Sequence, residues 1–131
     1  MAFDIIADIK PLLTGITSEV WSETVADDVN CIVVQHYGGM RPEHTFGANT
    51  KSKIIKPRIQ ILIRHTSEDT MHSWWDSVFN ALDGKTNYTP TGTNRTYLCI
   101  MSIDEPHDLG RDKNRRHIQT ANFEMWIINA R

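Results

Sequence analysis

The chain has 131 residues, 40% hydrophobic and 23% charged, the size and make-up of one folding domain that buries roughly two-thirds of its unfolded surface without needing disulfides or metals. Its formal charge of -2 makes it a poor general nucleic-acid binder, whose footprint would be a net basic face. No run approaches the ~18 uninterrupted apolar residues of a membrane helix, so no membrane partner is expected.

Ile5, Ile9, Leu12, Leu13 and Ile16 recur at the spacing of one helical face and predict an amphipathic helix over residues 4 to about 16, kinked by Pro11. The same segment, MAFDIIADIKPLL, lacks the basic start, long apolar stretch and cleavage site of a signal peptide, so the chain is read as soluble and made in the cytoplasm. No period persists from Gly15 to Asp28. CIVVQHY (31–37) then reads as a strand ended by Gly38 and Gly39. The polar, aperiodic stretch GGMRPEHTFGANTKSK (38–53) exceeds the usual connection. It is expected to be a mobile, partner-binding loop carrying Arg41, His44, Lys51 and Lys53.

In KPRIQILIRH (56–65), Ile59, Ile61 and Ile63 fall on one face and Arg58, Gln60 and Arg64 on the other, the alternation of a strand with one buried side. Thr66 or Ser67 can cap a following helix whose first turn holds Glu68 and Asp69, where the dipole favours anions. Met71, Trp74, Trp75, Val78, Phe79 and Leu82 form the strongest periodic signal in the chain. Burying each is worth roughly 1.5–3 kcal/mol, so this helix should anchor the core, with Gly84 to stop it. RTYLCIMSI (95–103) and HIQTANFEMWII (117–128) read as two further strands, with Ala121, Phe123, Met125 and Ile127 on one face and Trp126 turned away. An aromatic so placed often marks a contact with another chain. The order predicts a single two-layer α+β sandwich over 1–131: a mostly antiparallel sheet of four or five strands with two helices packed on one face.

Chemistry finds little purchase. Cys31 and Cys99 each sit in an apolar run, where buried reduced thiols are expected. The six histidines show no metal-ligand spacing, and no phosphate-cradling or nucleophile-elbow motif occurs, so no metal, cofactor or catalytic residue is assigned. Asp104, Glu105, Asp108 and Asp112 surround a basic cluster and leave a small metal-dependent nuclease as a competing reading; turn formation in DEPHDLG explains the aspartates directly.

Charge is blocked along the chain. Residues 1–30 carry six acids against one base, 31–66 one against six, 67–110 seven against two, and 111–131 two against five. Opposed patches of opposite sign steer and register contacts between copies. Arg111, Lys113, Arg115 and Arg116 concentrate the last block just before the final strand.

PRIQILIR (57–64), the helix ending in VFNALDG (78–84) and LGRDKNRRHIQTANF (109–123) together resemble the bacteriophage minor capsid and tail terminator proteins. Pro57, Gln60, Arg64, Leu82, Gly84, Gly110, Arg111, Asp112, Arg116, Asn122 and Phe123 occupy the matching places. The resemblance implies a structural virion protein without catalysis, assembled in the host cytoplasm. Its copies would form a ring, usually a hexamer, that terminates the tail tube and offers the surface where the head-completion protein docks. DNA in the lumen would be a passive contact. On this reading Arg111, Lys113, Arg115, Arg116 and Trp126 form subunit or tail interfaces, with the basic ridge facing an acidic block of a neighbour, 1–30 or 67–110. A head-tail joining role in the same class and a host protein-binding module stay open beside it.

Overall fold

A computed structural model describes residues 5–22, 30–44, 53–93, 95–111 and 115–129; of 39–44, 53 and 129 it describes the backbone alone. In chain order the elements are α1 (Ile5–Leu13), β1 (Val20–Ser22), β2 (Cys31–His44), β3 (Lys53–His65), α2 (Glu68–Leu82), β4 (Lys85–Tyr88), β5 (Arg95–Ser102), β6 (His107–Arg111) and β7 (His117–Asn129). The strands form one sheet in the order β1-β2-β3-β7-β5-β4, with β6 also paired to β7. Every pairing is antiparallel except β1 with β2.

Alternation in the two central strands builds the core. Ile55, Ile59, Ile61 and Ile63 of β3 and Ala121, Phe123, Met125 and Ile127 of β7 face one way and join a single apolar cluster with Ile5, Ile9 and Leu13 of α1 and Met71, Trp75, Val78 and Leu82 of α2. Both helices therefore cover the same face. Ile59 stands opposite Phe123 and Ile61 opposite Ala121, so their side chains are neighbours on the core face. The stripe expected of α2 is present, with Trp74 half-buried against the edge of His65 at a ring distance of 4.7 Å. Ser67 caps α2 by accepting from the Thr70 N–H at 3.3 Å, and the helix stops at Gly84, whose φ of +80° a residue with a Cβ adopts poorly.

The sheet has seven strands where four or five were expected. The extra ones, β1, β4 and β6, have at most five residues each, too short for an alternation to stand out. The expected loop is also shorter. Gly38 and Gly39 do not end β2; the strand continues to His44 through irregularities between His36 and Gly39 and between Met40 and Glu43, and Gly38, at φ +88°, serves the first. Arg41 and His44 thus lie in β2 and Lys53 opens β3, while residues 45–52, Lys51 among them, lie outside the described residues.

A buried ionic cluster fixes α1 on the sheet. Asp8, 4% exposed, receives Arg95 through two nitrogens at 2.6 and 2.7 Å and the Tyr97 hydroxyl at 2.6 Å, while the Tyr88 hydroxyl donates to the Asp8 carbonyl at 2.9 Å. Burial, and then the hydrogen bond to Asp8, push the Tyr97 phenol far above its ordinary value, so it stays a donor. The hydrogen bond to Asp8 likewise raises the Arg95 guanidinium.

Candidate assembly surfaces

The basic cluster is built by the turn from β6 into β7. Gly110 takes φ +94° and Arg115 φ +63°, and the Asp108 carboxylate accepts the Gly110 N–H at 2.8 Å, so a short aspartate side chain and a permissive glycine shape the approach. Arg111 and Arg115 are exposed there. Arg116, next before β7, is not part of the exposed ridge: it is 4% exposed and engaged within the fold. Lys113 lies outside the described residues.

Trp126 sits elsewhere. Its register partner in β5 is Cys99, on the sheet face turned away from the helices, and Cys99 has its thiol raised by burial. From His117 to Trp126 the strand spans roughly 30 Å at ~3.3 Å per residue. The predicted interface residues therefore fall at two ends of the sheet: Arg111 and Arg115 at one, Trp126 near the other, toward the pairing of His44 with Lys53 and of Ile54 with Ile128.

Along this face the side chains of β3 and β7 form a polar stripe. Lys56 lies over the Trp126 ring at 4.3 Å, the Trp126 indole donates to Glu124 at 3.2 Å, and Arg58 donates to the other Glu124 oxygen at 3.2 Å. Gln60 then donates to the Asn122 side-chain oxygen at 3.3 Å. Asn122 in turn donates its backbone N–H and Nδ2 to Asp104, both at 2.9 Å, and His107 closes the stripe against Asp104 at 3.1 Å. A cation over a ring and carboxylates shared between donors hold these long side chains in fixed positions.

Asp104 has an architectural task. β5 and β6 follow one another along the same edge of β7, Ser102 opposite Phe123 and His107 opposite Thr120, so the intervening residues must leave the ladder. The Ile103 N–H still reaches the Asn122 carbonyl at 2.9 Å, and the Asp104 carboxylate takes the Asn122 N–H that a backbone carbonyl would otherwise accept. Burial opposes its charge, yet the bonds from Asn122 and His107 prevail and hold its carboxyl below the usual carboxylate range. The acids considered for a nuclease are thus Asp104 and Asp108, each bound to backbone N–H groups, and Asp112, outside the described residues. Among the described residues no three His, Cys, Asp or Glu side chains converge as a cation site would require.

Sequence reading missed the Asp8, Arg95, Tyr97 cluster and the role of Asn122, since neither pairing leaves a periodic trace. Among the described residues no helix is long and apolar enough to cross a membrane. What the fold and its polar side chains define is a small α+β domain in which a stripe of polar groups braces one face of the sheet. The family model of the bacteriophage tail terminator protein matches residues 22–127, and the chain belongs to that family, a structural protein of the phage tail. No individual curated protein matches the chain.

Proposed function

We propose that this protein ends the growing tail tube by assembling on it as a ring, a hexamer in the simplest case, and presents the surface on which the head-completion protein docks. The observation that supports this most is the separation of the basic turn at Arg111 and Arg115 from the Trp126 and Lys56 end, roughly 30 Å along β7. A subunit in a ring on a tube meets two kinds of neighbour at once, and two surfaces that do not overlap allow it. The basic turn faces the next subunit, and the end with Trp126, Arg41, His44 and Lys53 faces an axial partner. Contacts that repeat head to tail close into a ring when their rotation divides a full turn. Lumenal DNA is a passive contact, and the particle is assembled in the host cytoplasm.

Deleting the gene and measuring tail lengths by electron microscopy tests the reading. Overlong tails, restored to a single length by the wild-type gene in trans, are the expected result. Tails of normal length that fail to join heads would overturn termination in favour of a head-tail joining role.

A further inference from the structure

Among the described residues four large apolar side chains are exposed: Trp21 at 39%, Tyr37 at 50%, Ile103 at 46% and Leu109 at 61%. They are not scattered. Trp21 lies in β1, the outermost strand on one side, and Tyr37 lies in β2 just beyond the stretch, Ile32 to Val34, that β1 covers. Ile103 and Leu109 lie on the other side of the sheet, along the path from β5 into β6. There β4 has stopped at the register of Ile100, and among the described residues β6 pairs only with β7. Each lateral edge of the sheet thus carries two exposed apolar side chains beside a strand whose ladder, among the described residues, runs on one side.

We infer that these two edges bind each other between copies of this chain: the edge with Ile103 and Leu109 packs on the edge with Trp21 and Tyr37 of the next copy. An exposed edge is a template for another chain, and paired apolar side chains form the dry centre that an interface needs. Charge agrees in sign. Arg111 ends β6 and Arg115 follows it, both exposed, whereas Glu19 stands on the opposite edge with its carboxylate held by the Trp21 indole at 3.0 Å. The acids nearest the basic turn in sequence, Asp108 and Asp112, belong to β6 or to the turn itself, so among the described residues a contact between opposite edges leaves Glu19 as the partner charge. Because the two edges differ, the contact is heterologous, and repetition gives rings or filaments and not two-fold dimers. β1 has three residues and β2 is bulged, which limits each contact to a few rungs and keeps it weak singly.

The inference deepens the ring reading and rests on it only for closure; the contact itself is tested by thiol cross-linking. In a Cys99→Ser background, Leu109→Cys combined with Tyr37→Cys is treated with a short bis-maleimide, at raised concentration in solution and on isolated tails. A second pair, Ile103→Cys with Trp21→Cys, guards against an unlucky register. All four positions are exposed, and circular dichroism verifies the fold. Products extending beyond the dimer from a double variant, with monomer only from each single variant, are expected. A dimer from Leu109→Cys alone would show the edge pairing with itself and overturn the proposal. So would the absence of product from both pairs in both settings. Tail length is scored separately: capped tails without cross-links sink this contact and leave termination standing, and cross-links without capping do the reverse.

Discussion

Asp104 gives both of its carboxylate oxygens to Asn122, one to the backbone N–H and one to the side-chain amide, each at 2.9 Å. A side chain here substitutes for a strand. Where the chain leaves the ladder between β5 and β6, the carboxylate supplies the acceptor that a neighbouring carbonyl would have supplied, and Asn122 keeps its donors satisfied although it is almost buried, 7% exposed. Such a group, stripped of its partner, costs more than the bond itself contributes.

Replacing Asp104 by alanine is therefore expected to lower stability by about 1–3 kcal/mol, read as a lower urea midpoint. The pH dependence has a definite sign. Because the folded carboxyl lies below its ordinary 3.8, its contribution is present above that value and is lost as pH falls through the folded value. In the alanine variant this part of the acid-side slope should vanish.

His65 sets a second dependence at higher pH. Its Nδ1 accepts the Ser67 N–H at 2.9 Å, which requires that nitrogen to be unprotonated, and burial lowers its pKa from 6.5. The unfolded chain takes up this proton first as pH falls. Stability from the site is thus complete above about 6.5 and declines as pH drops from there toward the folded value. An NMR titration should place His65 below the ordinary histidine value of 6.5, and His65→Asn, which keeps an acceptor, should flatten that part of the stability profile.

The cluster under α1 predicts a non-additive pair. Asp8→Ala leaves Arg95 without its two-pronged partner and should cost about 3–5 kcal/mol, as breaking a buried ion pair does. Tyr97→Phe removes one bond to a carboxylate and should cost about 1.5–3 kcal/mol. Asp8→Ala with Arg95→Met should be milder than Asp8→Ala alone, because no charge is then stranded. Equal losses in the single and double variants would deny the cluster its ionic character.

These dependences also explain what the sequence disclosed. Period-two and helical spacing placed β3, α2 and β7 because burial on one face writes itself into the order of residues. The short strands β1, β4 and β6 leave no such record, since β1 and β4 are only partly buried, β6 is exposed, and three to five residues are too few for an alternation to stand out. Gly38 misled for a physical reason: glycine serves a bulge as readily as a strand end. The positions shared with the family acquire causes, Gln60 and Asn122 as a bonded pair across β3 and β7 and Gly84 and Gly110 as positive-φ turns. Arg116 was placed on the surface from its charge alone, whereas the fold leaves it 4% exposed. Of the proposed assembly surfaces, the sequence singled out Arg111, Arg115 and Trp126, but not their distance apart, which depends on which end of a strand each occupies.

That distance yields the final prediction. Arg111→Glu with Arg115→Glu alters the turn proposed to face the neighbouring subunit, whereas Trp126→Ala alters the other end. The charge reversal should weaken association between copies, which in the wild type is itself expected to be weak and salt-sensitive, because surface charges are screened over roughly 8–10 Å. Sedimentation at low and high salt should show the wild type losing oligomer as salt rises and the reversed variant showing little at either. Trp126→Ala should leave that salt response unchanged, since Trp126 lies roughly 30 Å along β7 from the turn, and yet impair capping of tails in a mixing assay. If Trp126→Ala disturbed association between free copies as much as the arginine reversal does, the two ends would not serve two partners, and the division of labour along β7 would fall.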